Sequence, residues 1–308
     1  MRVVVAGASG VIGTPLVPAL REAGHEVLRL VRRTPAAPDE RRWDPPSGVV
    51  DKGALDGVDA VVNLCGAACA EQRWSPARKQ ELRDSRIIPT QVLAAAVAEH
   101  GIGALLNGSG IGYYGDAGDQ PVTESAPAGS GFLADMDADR EIATAAAVTA
   151  GARVALLRTG VVMSPTGGML SQLRPMVLAF LGGRFGHGRQ VTSWISLADE
   201  ISAIRFVLEH DEISGPVNLT APNPVTNAEL VRAVGKALRR PTPWVYSRSL
   251  LRLAAGELAD EGSFVSQRVV PEVLSRHGFE FEHPQLTSAL AAALLARPET
   301  GIMPVGRT

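Results

Sequence analysis

Val3-Val4-Val5-Ala6-Gly7-Ala8-Ser9-Gly10-Val11-Ile12-Gly13 is the stretch from which the fold is read. Four apolar residues form a short strand, and the glycines then turn the chain directly into a helix. Gly7 allows the tight turn, and Gly10 carries no Cβ to block a phosphate. Gly13 lets the helix pack closely on the strand, so the helix N-terminus faces whatever the turn holds. The spacing is GxxGxxG rather than GxGxxG. In a strand–turn–helix context it points to dinucleotide binding through Gly7, Ser9, Gly10, Val11 and Ile12. The alternative is a structural turn on an unliganded domain.

Working outward, Glu26 to Val31 reads as a second strand, and Arg32 and Arg33 follow it. A site for NAD places a carboxylate there for the ribose hydroxyls. Two guanidiniums suit a 2′-phosphate instead, which favours NADP(H); a solvated strand end is the competing reading. Ala60 to Leu64, Gly103 to Asn107 and Arg153 to Thr159 read as further buried strands. A long helix starts at Pro76 behind a Ser75 cap, and another spans Phe132 to Ala150. This alternation predicts an α/β fold, a Rossmann-type doubly wound parallel sheet with a smaller C-terminal substrate-binding lobe. The expected division is a cofactor domain over 1–160, lobe segments interleaved with the last sheet strands over 161–296, and a frayed tail over 297–308. Within the lobe, Asn218 to Pro224 reads as a strand entering a turn, followed by a helix capped near Thr226 or Asn227. Pro243 to Ala296 reads as mostly helical, with a strand-like piece at Phe279 to Phe281.

The 308 residues carry a formal net charge of −2 and no block of like charges, so nucleic acid is a poor partner. No apolar run approaches the roughly 20 residues that span a bilayer. A cytoplasmic protein with a small-molecule substrate and no membrane partner is expected. Cys65 and Cys69 lack metal or redox spacing, so they read as free thiols, and no metal is expected.

Several strings, in order, resemble the short-chain dehydrogenase/reductase superfamily in its extended form, and within it an atypical sugar-nucleotide epimerase-like subgroup. They are Gly7 to Gly13, Val61 to Gly66, Arg73-Trp74, Arg78-Lys79, Asp84-Ser85-Arg86, Gly112-Tyr113-Tyr114-Gly115-Asp116 and Leu157-Arg158-Thr159-Gly160. Gly188-Arg189-Gln190, Ser193-Trp194-Ile195, Ala221 to Asn227, Gly256-Glu257 and Gln267-Arg268-Val269 continue the match. The resemblance implies that Asn63, Leu64 and Gly66 lie along the cofactor and that Thr159, Gly160, Val161 and Val162 lie near the nicotinamide. It implies Arg86, Tyr113, Tyr114, Arg189, Ser193 and Trp194 on the substrate side, and a possible homodimer, since extended relatives are often dimers.

The superfamily's acid/base tyrosine and the lysine four residues after it are missing. Only Tyr113, Tyr114 and Tyr246 occur, and four residues beyond them stand Ala117, Gly118 and Leu250. By the resemblance, Leu133 stands at the tyrosine's place, Asp137 at the lysine's and Gly110 at the usual serine's. Tyr114, Tyr113 and Asp137 are the remaining candidates for proton transfer. The tyrosines could equally pack in the core, Asp137 could be solvated with Asp135 and Asp139, and Arg86 could form a surface ion pair. Asp199 is expected to cap or anchor a helix. Two functions are consistent with these residues: an epimerase-like NADP(H) oxidoreductase acting on a small hydroxy or carbonyl compound, a nucleotide sugar among the options, or a catalytically silent NADP(H)-dependent binding or regulatory protein.

Overall fold

The structure is a computed structural model that describes residues 1–70 and 72–295. Eight strands form the central sheet, numbered here in chain order: β1 (Arg2–Ala6), β2 (Glu26–Val31), β3 (Glu40–Asp44), β4 (Val49–Val50), β5 (Ala60–Asn63), β6 (Ala104–Gly110), β7 (Arg153–Thr159) and β8 (Gly215–Leu219). Their order is β8-β7-β6-β5-β1-β2-β3-β4, and every pairing is parallel except β3 with β4. The order reverses between β1 and β5, which opens a crevice at their carboxyl ends.

The unbroken apolar run of β1 is explained by helices on both faces. Val3 and Val5 pack with Leu16, Val17 and Leu20 of α1 (Gly13–Glu22), and that layer continues into Ile204, Val207 and Leu208. Val4 and Ala6 point the other way, toward Leu93 and Val97 of α2 (Pro76–His100). Period-two alternation thus survives in the packing although both faces read as hydrophobic. The Ser75 side chain caps α2 by accepting from Arg78 N at 3.1 Å.

The expected helix from Phe132 to Ala150 is two helices, α3 (Phe132–Ile142) and α4 (Ala145–Thr149). At the break, the Thr144 hydroxyl donates to the Glu141 carbonyl at 2.7 Å, a local alternative to continuing the helix. Beyond Gly160, the chain builds α5 (Gly168–Leu178), α6 (Leu197–Glu209) and α7 (Asn227–Ala237). Trp194, fully buried, is the centre of a separate core with Leu173 and Val177 of α5, Val231 and Val234 of α7, and Leu290. The α7 cap is reciprocal: Thr226 accepts from Glu229 N, and the Glu229 carboxylate accepts from Thr226 N.

The segment after Pro243 is mostly helical as expected, through Arg248–Ala255, Ala259–Ser263, Glu272–Arg276 and Leu286–Leu295. It also includes strands Trp244–Tyr246 and Gln267–Val269, while Phe279 to Phe281 is irregular and fixed by edge-to-face ring contacts. The tail over 297–308 lies outside the described residues. Among the described residues, no helix is long and apolar enough to cross a membrane.

A Cβ at Gly13 would lie 2.3 Å from the Gly7 carbonyl oxygen, so α1 sits closer to the turn than any side chain permits. Gly13→Ala is expected to cost about 1–3 kcal/mol, read as a lower urea midpoint, with cofactor affinity falling as well.

Candidate functional site

At the crevice between β1 and β5, Gly7 has φ +81°, and a Cβ there would stand 2.7 Å from the Leu64 carbonyl carbon. No side chain caps α1, whose N-cap is Ile12. Thr14 N already donates to the Gly10 carbonyl at 2.9 Å and residue 15 is proline, so the amides left for an anion are those of Val11, Ile12 and Gly13, and the dipole favours one. This cradle, together with the close approach of the β5 loop, fits a dinucleotide's pyrophosphate.

The side chain of Asn63 does not reach the crevice. It is fully buried, donates to Thr90 Oγ1 at 3.1 Å and Asn107 Oδ1 at 2.7 Å, and accepts from Cys65 N at 3.1 Å. Asn63 therefore shapes the loop that carries Leu64 and Gly66. The two arginines after β2 part company. Arg33 makes a bidentate pair with Glu40 on β3, at 2.8 and 2.6 Å. Arg32 is exposed and makes no hydrogen bond or ion pair among the described residues. The paired reading of Arg32 and Arg33 is corrected to this extent: Glu40 holds one of the two forks.

A cavity of about 520 Å³ opens at the carboxyl ends of β6 and β7. Asp137 and Arg140 of α3 line it, with Arg86 and Cys69 beside them and Ser109, Gly110, Thr159, Gly160 and Val161 at the strand ends. Arg248, Asp260, Glu261 and Phe264 close it from the C-terminal segment. Val162 packs against the α1 and α6 core instead.

Of the three aspartates on α3, Asp135 is exposed and Asp139 pairs with Arg83, whereas Asp137 is 5% exposed. Space for it comes from missing side chains. A Cβ at Gly110 would stand 3.0 Å from Asp137 Oδ2, and one at Gly112 would stand 2.7 Å from the same atom. Burial pushes the Asp137 carboxyl up to about 7, against the pull of Arg140 and Arg86. Burial likewise raises Cys65 to about 11 and raises Cys69, so neither is a ready thiolate.

The tyrosines require a correction. Tyr114 is 3% exposed, donates to Asn218 Oδ1 at 2.6 Å, and accepts from Arg158 Nη1 at 2.9 Å. Tyr113 stacks edge-on against Tyr114, and the Arg158 guanidinium lies 3.5 Å from its ring centre. Arg158 also holds Glu141 through two 2.9 Å bonds. Neither tyrosine lines the cavity, because both are committed to this buried cation. Burial raises the Tyr114 phenol further, against the pull of Arg158, so proton donation falls away from Tyr114.

Three proposed substrate residues also lie outside the cavity wall. Ser193 is fully buried; its hydroxyl donates to the Gln267 carbonyl at 2.7 Å and accepts from Val269 N at 2.8 Å, fixing that strand. Trp194 donates from Nε1 to the Asn223 carbonyl at 2.9 Å, and Arg189 is exposed elsewhere. Of that set only Arg86 reaches the cavity. Asp199 anchors as expected: its carboxylate accepts from Glu282 N at 2.7 Å and His283 N at 3.1 Å.

Residues not singled out from the sequence complete the wall. Arg140 follows Asp137 by one helical turn on α3, and Glu261 arrives from far along the chain to accept from Leu133 N at 3.2 Å. Thr159 donates to the fully buried Glu200 at 2.8 Å, and burial pushes that carboxyl up to about 8. An i, i+3 Asp-Arg pair on a helix facing a Gly-x-Gly-x-Gly strand end was the available signal. Among the described residues, no cluster of His, Cys, Asp or Glu could hold a metal ion.

Residues 3–219 match the NAD dependent epimerase/dehydratase family, and residues 248–293 match a domain of unknown function, DUF1731. An epimerase family protein of Mycobacterium bovis is 54% identical over 291 residues, covering 94% of this chain and 97% of its own. The human epimerase family protein SDR39U1 (isoform2), solved with NADPH, superposes with a TM-score of 0.86 at 28% identity, covering 96% of this chain and all of that one. A nucleoside-diphosphate sugar epimerase from Corynebacterium glutamicum is 35% identical with a TM-score of 0.79; the match covers 96% of this chain and 58% of that longer one.

Both raised carboxyls act on stability with one sign. The native state keeps protons that the unfolded chain releases near pH 4, so stability is full below that pH and is lost as pH rises through about 7 to 8. Asp137→Asn should therefore stabilise the protein at pH 8.5 by on the order of 2 kcal/mol relative to its effect at pH 5.5. Melting curves of both proteins at the two pH values provide the check, and an equal shift at both would contradict it.

Proposed function

This chain belongs to the NAD dependent epimerase/dehydratase family, and from that premise we propose an NADP(H)-binding oxidoreductase that acts on a small hydroxy or carbonyl compound, with Asp137 handling the proton. The observation that carries this reading is a buried carboxyl with no hydrogen-bond partner among the described residues, facing a cavity beside a dinucleotide cradle. Gly7, Ser9, Gly10, Val11 and Ile12 would hold the pyrophosphate, with Leu64 and Gly66 alongside. Arg32 would hold the 2′-phosphate, and Thr159 to Val161 would border the nicotinamide end. When bound, the nicotinamide supplies or accepts hydride. The segments after Gly160 other than α6 and β8 would form the lobe that closes over the substrate.

Asp137 is suited to the task because its carboxyl titrates near the working pH, where an acid is both protonated and able to give its proton up. Desolvation holds it there, Arg140, Arg86 and Arg158 pull it down, and Glu141 pushes it up. In the reducing direction the protonated form is the active one, so turnover is full below about pH 7 and falls as pH rises through it. The oxidising direction has the reverse profile.

Two measurements test the reading. Arg32→Ala should weaken NADPH at least tenfold more than NADH in a fluorescence titration, while Arg33→Ala should have the smaller effect because Glu40 already occupies that fork. With a panel of carbonyl compounds, Asp137→Asn should lower turnover about 100-fold or more with NADPH affinity unchanged. Tightly held NADPH that never turns over with any substrate would instead identify a cofactor-dependent binding protein.

A further inference from the structure

Two guanidiniums face the cavity, and neither has an anionic partner among the described residues. Arg86 donates from Nη2 to the Ala67 carbonyl at 2.9 Å and to Cys69 Sγ at 3.2 Å, and from Nη1 to the Leu82 carbonyl at 3.1 Å. Arg140 donates from Nη2 to the Cys65 carbonyl at 2.9 Å, is 6% exposed, and has a buried Nε with no partner. Other charges around the same cavity are occupied. Arg248 pairs with Asp260 at 2.7 Å, Asp116 accepts from Ser266 N at 3.0 Å, and Glu261 accepts from Leu133 N.

A buried cation without a counter-charge is costly, and two together repel each other. Burial first, and the neighbouring Arg86 next, lower the Arg140 guanidinium to about 10. Asp137 does not repair the imbalance: it forms no ion pair with either arginine, and its carboxyl gains its proton near neutrality. An anionic ligand would supply the missing charge, and the planar forks match a carboxylate.

We propose that this cavity takes a compact carbonyl compound bearing a carboxylate, which Arg86 and Arg140 hold next to Asp137. The proposal rests on the function proposed above and names its substrate class. Position favours a carboxylate over the diphosphate of a nucleotide sugar. The open cations lie on the inner wall, where Arg140 and Asp137 are buried side by side. A diphosphate sits a sugar ring away from the reacting carbon and would need cations at the mouth. There the exposed Arg248 is already engaged by Asp260, and the exposed Asp116 adds negative charge.

Calorimetric titration of the NADPH-saturated protein with pyruvate, acetoacetate, phenylpyruvate, acetone and inorganic phosphate tests the assignment. At least one oxo acid should bind saturably, acetone at least tenfold more weakly, and phosphate more weakly than the best oxo acid. Arg86→Gln and Arg140→Gln should each weaken the oxo acid tenfold or more while holding NADPH like the wild type, and Arg140→Lys should restore part of the loss. If Arg140→Gln does not melt cooperatively, Arg86→Gln and Arg140→Lys decide. No binding of any of the three oxo acids, equal binding of acetone, tighter binding of phosphate, or loss of NADPH in the glutamine variants would each overturn the proposal. If the wild type fails to bind NADPH, the function proposed above fails on its own, and the same titration of the unloaded protein still reports on the arginine pair.

Discussion

Everything distinctive in the cavity depends on empty volume along one strand end. Gly108 and Gly110 lie on the same face of β6, and Gly112 follows in the turn beyond it. A Cβ at Gly108 would meet Arg140 Nη2 at 2.9 Å, and Cβ atoms at Gly110 and Gly112 would press on Asp137 Oδ2. Removing three side chains lets α3 lower a carboxyl and a guanidinium onto the sheet edge. The position that the resemblance assigns to a serine is thus glycine for the same reason that the lysine's position is aspartate. A serine at Gly110 and a carboxylate at Asp137 compete for one space, so the two departures form one substitution in physical terms.

A second set of polar residues, most of them behind the cavity wall, holds this arrangement in place. Arg158 links Glu141 at the end of α3 to Tyr114, and Tyr114 continues to Asn218 on β8. Ser109, at the cavity wall, donates to the same Glu141 at 2.8 Å. Asn63, Thr90 and Asn107 perform the corresponding task below the β5 loop. Such buried networks contribute position more than net stability, since the desolvation of each ion offsets much of the attraction. They also account for the tyrosines' place outside the cavity: the Tyr114 hydroxyl is consumed by Arg158 and Asn218, and the Tyr113 ring is held against Tyr114 and Arg158.

The cofactor side shows the same division between shape and charge. The turn into α1 leaves the backbone amides of Val11, Ile12 and Gly13 open, and no side-chain change short of proline removes them. Beside it Arg32 is exposed and open among the described residues, whereas Glu40 on the polar strand β3 has taken Arg33. That strand, Glu-Arg-Arg-Trp-Asp, carries no alternation a sequence reading would register, yet its Trp43 is buried and its Glu40 reorients an arginine.

The sequence alone determined what depends on local spacing. Gly7, Gly10 and Gly13 after an apolar tetrad specify the turn, the alternation of short apolar runs and helices specifies the parallel sheet, and the absent tyrosine–lysine pair is a matter of counting. Caps such as Ser75 and Thr226 were equally readable, since each acts within three residues. Only the tertiary structure decided which polar residues face the cavity, because that depends on contacts between elements far apart in the chain. Asp135, Asp137 and Asp139 are alike in sequence; an exposed face, a glycine-lined strand end and Arg83 make them three different groups. Arg32 and Arg33 are adjacent and chemically identical, and a strand edge seven residues on separates them.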